Sequence, residues 1–407
     1  MEYQPIVLDA TGADIQGESA RIRRRGPITP VVLPGGVAVW SVTDTALLRA
    51  LLTDSRVSKD PRLHWTAFQN GVIAEDWPLR SWVAVDNMFT AYGPAHRRLR
   101  KLVSPAFTHR RSLAMRPRIE AITADLLDEL APLPPGTIVD LRERFAYPVP
   151  IRVISEMIGV PDALVPPMHA CVDRFFDTSR TPEQAVAGYL EMYGLVSELV
   201  SYRRDRPGDD ITSVLTATYD GDGSRLTEKE LVDTLMLIIT AGHETTVNLL
   251  DHAIFALLTH QEQRADVVAG RAGWVDVVEE TLRHQAPIAH LLLRYATEDL
   301  NIGGVRISKG EAILASYAAA GRDPEVHGST ADEFDVHRDT KEQHLAFGYG
   351  THHCLGAPLA RLEGQIALPA LFARFPGLRL AVEPAEVAPM DSFISNGHAR
   401  LPVYLAG

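Results

Sequence analysis

The stretch "HLAFGYGTHHCLGAPLARLE", His344 to Glu363, sets one of only two cysteines in a 407-residue chain between glycine turns and the start of an amphipathic helix. Gly348 and Gly350 permit a sharp, close-packed backbone of the kind a bulky planar ligand needs, and Gly356 lets the chain pass tightly after Cys354. "GYGTHH" lacks the third glycine of a dinucleotide fingerprint. His344, His352, His353 and Cys354 make a poor zinc set, because adjacent ligands wrap badly around one tetrahedral ion and no second cysteine stands at CxxC spacing. A single thiolate just ahead of the helix "APLARLEGQIALPALFARF" gains from the helix dipole and the free amides there, which suits an electron-rich axial ligand to iron.

Upstream lies the longest apolar segment, "TEKELVDTLMLIITAGHETTVNLLDHAIFALLTH", Thr227 to His260. Thr227 with Glu230 three residues later is a capping box, and the pattern predicts a helix of about 45 Å crossing the core at ~1.5 Å per residue. Its middle, "AGHETT" (Ala241–Thr246), is a weak point: Gly242 costs about 1 kcal/mol relative to alanine, and the Thr245 hydroxyl can bond back to the Ala241 carbonyl and bend the helix. Glu244 stands in an apolar neighbourhood, expensive unless paired or wetted. A buried acid beside an alcohol suits a proton relay; a plain kink with Glu244 turned to solvent is the alternative.

In "VEETLRHQAP", Glu280 and Arg283 share one helical face, as a surface ion pair or, if buried, as a bidentate clasp. "GPAHRRLRKLV" places His96 and Arg100 on one face, and Arg294 is a lone charge in the apolar run "APIAHLLLRYA". That isolation calls for a buried anionic partner, a carboxylate or phosphate.

Hydrophobic residues at 46% and charged residues at 23% describe an ordinary globular protein, and a net charge of -12 argues against a general role on nucleic acid or an anionic membrane surface. Cys171 and Cys354 are too far apart in sequence to suggest a disulfide framework, and no leader-like segment or run of about 18 apolar residues appears, so a cytoplasmic, unanchored monomer is expected. No repeat or linker divides residues 1–407, read as one domain with a β-containing part over about 1–90 and a helical remainder with small sheets. "TPVVLPGGVAVWSV" reads as a hairpin bent at Pro34-Gly35-Gly36; "SLAMRPRIEAITADLLDEL", "VPIRVISEMIG" and "PEQAVAGYLEMYGLVSELVSYRRD" read as helices. "NIGGVRIS" and "EAILASYAAA" read as extended pieces, and "DSFISNGHARLPVYLAG" as a terminal hairpin with Asn396-Gly397 at its turn.

Phe347, Gly350, Cys354 and Gly356 stand at the spacing of the FxxGxxxCxG haem-binding signature, and the chain resembles the cytochrome P-450 superfamily over essentially its whole length. "AGHETT" resembles the oxygen-activating segment of that family's central helix and "ETLR" its ExxR motif. The resemblance implies a mainly α fold with a small β region, a long central helix over a buried haem b, and Cys354 as the iron ligand with Phe347 packed near the sulfur. It implies that His96, Arg100, Arg294 and His352 hold the haem propionates, that Ala241 lies against the haem, that Thr245 and Glu244 relay protons to bound O2, and that Glu280 and Arg283 form a structural clasp. "AYGPAH" departs from the Asp-Pro-Pro of many bacterial members, and "ADEFDVHR" lacks the common proline and arginine ahead of Phe334, leaving Arg338 as a candidate third partner of the clasp.

Length and lack of an anchor resemble the bacterial class that takes electrons from NAD(P)H through a ferredoxin and ferredoxin reductase. The basic residues Arg97, Arg98, Arg100, Lys101, Arg110 and Arg111 are a candidate docking face, or simply a solvated one. By family position the substrate pocket draws on the segment holding Trp65, Trp77, Trp82 and Phe89, on Ile238, on Ile288, Ala289, His290, Leu291 and Leu292, and on Phe393 and Ile394. The implied reaction is insertion of one oxygen atom of O2 into a bulky apolar molecule: a macrolide, steroid, terpenoid or aromatic metabolite. Oxidative aryl coupling of a peptide-type metabolite, and a non-catalytic haem sensor or carrier, are the alternatives.

Overall fold

A computed structural model describes residues 5–176, 182–218 and 223–405. Its β region begins with the predicted hairpin: β2 (Ile28–Leu33) and β3 (Val37–Val42) pair antiparallel with Val31 opposite Val39. The turn is possible because Gly35 and Gly36 adopt φ of 84° and 82°. With β1 (Ile6–Val7), β4 (Val57–Ser58), β6 (His290–Ala296) and β9 (Ala312–Ser316) they form one sheet in the order β1-β2-β3-β9-β6-β4. The β6–β9 register shifts between Leu291 and Arg294, a bulge that re-aims the side chains of β6. β5 (Ile138–Asp140), β10 (Arg379–Leu380) and β11 (Pro402–Tyr404) make a second sheet, and β7 (Leu300–Ile302) with β8 (Val305–Ile307) the "NIGGVRIS" hairpin.

The helices that frame the site are α1 (Gly93–Val103), α2 (Arg116–Leu130), α3 (Pro148–Ile158), α4 (Val165–Phe176), α5 (Pro182–Asp205), α6 (Glu228–Thr259), α7 (Trp274–His284) and α8 (Ala357–Arg374). α6 starts where the capping box places it: Thr227 accepts from the Glu230 amide and Glu230 from the Thr227 amide. Its first half packs Leu231, Leu235 and Ile239 against Ile154, Val172, Val196 and Leu199; its second half packs Leu249, Leu250 and Leu257 against Ile119, Leu126, Val277 and Leu368. Burial on both ends, at about 2 kcal/mol per leucine, holds the helix continuous through the weak Ala241–Thr246 segment. Gly242 is there for space, since a Cβ would stand 3.0 Å from Ile154 Cδ1.

Three expectations change. "SLAMRPRIEAITADLLDEL" is two helices that part at Met115, with Pro117 in the first turn of α2, where its missing N–H costs nothing. "EAILASYAAA" is strand only to Ser316 and then turns into a short helix, Tyr317–Gly321. Asn396-Gly397 is not the terminal turn: Met390 N–H bonds to Gly397 O and Ala399 N–H to Ala388 O, so the chain reverses over 391–396 and Gly397 lies on the returning arm. Glycine stands there because the arm presses on α6, where a Cβ would come within 2.3 Å of Asn248 Oδ1. No helix among the described residues is long and apolar enough to cross a membrane.

Candidate active site

The cysteine loop is closed by a bond from Cys354 N–H to Phe347 O (2.9 Å) and turned by Gly348 and Gly350 at φ of 70° and 72°. Gly350 presses against the helix Thr45–Thr53, where a Cβ would lie 2.6 Å from Leu52 O. Cys354 has accessible surface. Burial by the surrounding protein pushes its thiol up, opposed by the Gly356 and Ala357 amides at the start of α8 and by the Arg100 and Arg361 guanidiniums. Arg100 also donates to His353 O at 2.7 Å, and Arg361 lies over the Phe347 ring, 4.5 Å from its centroid.

Glu279 fastens this loop to α7. Arg361 Nε and Nη2 donate to it at 2.6 and 2.9 Å, and His344 Nε2 lies 3.1 Å away. Burial alone would raise its carboxyl, but Arg361 and His344 outweigh burial and hold it down at about 2. His344 is therefore spent on a carboxylate and His352 lies against His96, ring centroids 4.0 Å apart and tilted by 36°, so among the described residues these histidines do not converge with Cys354 on one ion. Among the described residues the one convergent metal-type triple, Asp251, His252 and His398, lies elsewhere.

His352 belongs to a second group, formed with His96 of α1, Arg294 of β6 and Lys59 just after β4. His96, Arg294 and Lys59 are 4%, 5% and 3% exposed. Among the described residues neither His96 Nε2 nor Arg294 Nη1 has a hydrogen-bond partner. Lys59 Nζ reaches only Leu292 O at 3.5 Å and stands over the Phe89 ring, 3.2 Å from its centroid. Burial lowers all four; repulsion from Arg294 adds to this at Lys59, and from Arg100, Arg294 and Lys59 at His96, which falls to about 4, while His352 lies lower still. Buried cations crowded without an anion are unfavourable, and a ligand carrying carboxylates resolves the conflict. Lys59 is not among the residues that the sequence singles out.

On α6, Leu237, Thr240, Ala241 and Thr245 recur at one helical spacing and retain accessible surface, a strip along an otherwise buried helix. Thr245 Oγ1 donates to Ala241 O at 3.0 Å, as its position predicts, which leaves the hydroxyl lone pairs free to accept. Glu244 turns inward and is 6% exposed. Arg142 Nη2 donates to its Oε1 at 2.8 Å and Ser395 Oγ lies 3.5 Å from the same oxygen. Burial raises the Glu244 carboxyl and Arg142 opposes it. The solvent-facing alternative for Glu244 is thereby excluded, and Arg142 is a partner that the sequence did not announce.

The Glu280–Arg283 pair is fully buried and bidentate, at 2.7 and 2.6 Å. Arg283 also donates to the carbonyls of Gly321, Ala331 and Glu333, and Arg338 is the third partner, its Nε 3.4 Å from Glu280 Oε1. Among the pocket residues, Trp82, Phe89, Ile288 and Leu291 are half-buried, while Ile238, Ala289, His290, Phe393 and Ile394 are buried. The structure brings 288–290 and 393–395 together through Ala289 N–H to Ile394 O (2.8 Å) and the Ile288–Ser395 bridge. His290 lies 6.1 Å from Phe393, ring to ring. Trp65 and Trp77 pack instead into the core with Tyr295 and Leu314.

An accessible thiol with amides and guanidiniums about it, beside a buried group of nitrogen bases lacking an anion, fits an iron macrocycle bearing two carboxylates. Fold and donor set together define a haem-thiolate oxidoreductase. Comparison with known proteins agrees: the Cytochrome P450 family model matches residues 275–391. The 2-hydroxy-5-methyl-1-naphthoate 7-hydroxylase of Streptomyces carzinostaticus is 47% identical over 403 residues, 99% of this chain and 98% of that one. The 6-deoxyerythronolide B hydroxylase of Saccharopolyspora erythraea is 40% identical, covering 95% of each chain. The solved structure of CYP154A1 from Streptomyces coelicolor superposes with a TM-score of 0.91 at 53% identity, over 98% of this chain and 100% of that one. The chain belongs to the cytochrome P450 family and is a monooxygenase, an enzyme class that works with haem and O2.

Proposed function

We propose that this enzyme hydroxylates a bulky, largely apolar aromatic metabolite, with electrons from NAD(P)H delivered by a ferredoxin and its reductase. The observation that carries the reading is the pairing of the accessible strip on α6, bearing Ala241 and Thr245, with the accessible Cys354 thiol and its neighbouring unpaired cations. The naphthoate hydroxylase relative favours an aromatic substrate over a macrolide. The half-buried Trp82, Phe89, Ile288 and Leu291 supply apolar and aromatic surface suited to it.

Haem b, when bound, supplies the iron at which O2 is activated and one oxygen atom is passed to a C–H bond. Cys354 would ligate that iron as thiolate, with the Gly356 and Ala357 amides, Arg100 and Arg361 stabilising its charge. His96, Arg100, Arg294 and His352, joined by Lys59, would hold the propionates, and Arg100 also braces the loop from His353 O. Ala241, small and exposed on α6, would leave room beside the haem. Thr245 accepts a hydrogen bond on its free lone pairs and orders water, and Glu244 stores the proton to be delivered. Phe347, held under Arg361, would pack near the thiolate, with Gly350 and Gly356 allowing the loop its path. Arg97 and Arg110 are exposed and would offer positive charge to an acidic ferredoxin, whereas Arg98 is engaged by Glu230 at 2.7 Å and Arg111 by Asp209 at 3.3 Å.

The test is a titration of the ferric holoenzyme with a naphthoic acid, a macrolide, a steroid and an aromatic peptide, read as a low-spin to high-spin change, followed by product analysis. Response to the naphthoic acid and an oxygenated product support the reading. Response only to the peptide, with a coupled product lacking new oxygen, refutes it. Thr245→Ala should raise peroxide release relative to product, and unchanged coupling removes Thr245 from the relay.

A further inference from the structure

The polar cluster that holds Glu244 extends well past it. Glu244, Asn248 and Asp251 recur at spacings of four and three, so α6 presents them on one face. Opposite stands Arg142, the first residue of a π-helical turn (Arg142–Ala146) in which Tyr147 N–H bonds to Arg142 O at 2.8 Å. Arg142 Nη2 takes Glu244 at 2.8 Å; Nη1 takes Asn248 Oδ1 at 2.9 Å and lies 3.4 Å from Asp251 Oδ2. From the returning terminal arm, His398 donates to Asp251 Oδ2 through both its backbone N–H and Nδ1, each at 2.9 Å. The arm comes this close because Gly397 has no Cβ.

One guanidinium, which keeps its charge at any pH the protein survives, thus lies between two buried carboxylates. They fare differently. Burial raises Glu244 more than Arg142 lowers it, whereas at Asp251 burial is outweighed by His398, His252 and Arg142, and its carboxyl stays below the usual range. His398, at 8% exposed against 0% for Asp251, is the outer member of the chain. Other titratable groups facing the cluster are His252 of α6, held neutral by burial at about 3 with Nε2 3.2 Å from Asn396 O; His243 of α6, lowered by burial to about 3 and within reach of the Arg142 charge; and Asp140 of β5, which accepts from the Arg142 amide.

We propose that Asp251 and His398 are positioning residues that set, through their claim on Arg142, how tightly Glu244 holds its proton. The proposal rests on the reading of Glu244 as the relay acid. In each cycle the Glu244 carboxyl releases one proton toward the reacting side, faces Arg142 as a carboxylate, and regains one proton from water; Arg142 and Asp251 change no charge. Whatever loosens Asp251 from Arg142 commits the guanidinium to Glu244 and favours the carboxylate. Whatever drives Asp251 onto Arg142 favours the neutral acid.

The experiment is an infrared pH titration of the holoenzyme, with the Glu244 carboxyl band isolated as parent minus Glu244→Gln. It is paired with O2 consumption across pH using a plant-type ferredoxin and its reductase. Asp251→Asn should lower the Glu244 midpoint by about one pH unit and His398→Phe should raise it by a similar amount, the scale typical of a neighbouring charge. His398→Gln, which keeps a donor for Asp251, should restore the parent midpoint. A merely structural role predicts no opposed shifts and no rescue. Unmoved midpoints in both variants, with the band present and O2 consumption still dependent on Glu244, overturn this inference alone. O2 consumption and a pH profile unchanged in Glu244→Gln overturn the relay reading beneath it.

Discussion

Replacing Glu279 by glutamine removes the negative charge that ties the cysteine loop to α7 while keeping the side chain's shape. Glu279 is buried, with its side chain 4% exposed, and its carboxyl is held at about 2 by Arg361 and His344 against the burial that would raise it. The ordinary value is 4.5. That depression, at about 1.4 kcal/mol for each tenfold change in proton affinity, corresponds to roughly 3–4 kcal/mol of stability at pH 7. Because the folded value is the lower one, this contribution is complete above pH 4.5 and is lost as pH falls toward 2, with about half remaining near pH 3. Urea unfolding followed by tryptophan fluorescence at pH 7 and again at the lowest pH where the parent stays folded measures both terms. The variant should unfold at markedly lower urea at pH 7, and the gap should narrow on acidification. Equal midpoints at pH 7, or a gap that does not change with pH, would refute an ionised Glu279 as the fastening.

Glu280→Gln leaves Arg283, fully buried, and Arg338 without their carboxylate and should cost about 3–5 kcal/mol, so that little soluble holoprotein accumulates; the urea midpoint and soluble yield report it. Gly397→Ala drives a Cβ onto Asn248 Oδ1 and should destabilise by about 1–3 kcal/mol by displacing the terminal arm, while Gly194→Ala, where φ is likewise ordinary and nothing lies within 4 Å of the added Cβ, should not destabilise and serves as the comparison. Arg294→Leu should act with opposite signs on the two forms: the apoprotein gains stability as one unpaired buried cation is removed, and haem transfers to apomyoglobin about tenfold faster, as expected for loss of a charged hydrogen bond.

The parts legible in the sequence are those written in short-range signals. The cysteine loop announces itself by glycines at fixed offsets, α6 by Thr227 and Glu230, and the clasp by Glu280 and Arg283 one turn apart. Lys59, Arg142, Asp251 with His398, and Glu279 with Arg361 escaped because each acquires meaning only from a partner brought up by the fold: Arg142 meets Glu244 from 102 positions away and His398 meets Asp251 from 147. Asn396-Gly397 shows the reverse case, a strong local turn signal overridden because the glycine is needed for contact with α6. His290, placed by family position in the substrate pocket, is fully buried with neither ring nitrogen bonded among the described residues, a state that no local pattern encodes.

The central claim is that Cys354 is the thiolate ligand of a haem held by the cluster of Lys59, His96, Arg294 and His352. The most direct measurement is the absorption spectrum of the dithionite-reduced protein with carbon monoxide, recorded for the parent and for Cys354→His. The account predicts a strongly red-shifted Soret band in the parent and an unshifted one in the variant. An unshifted band in freshly purified parent holoprotein, or a red-shifted band that survives the substitution, would contradict it.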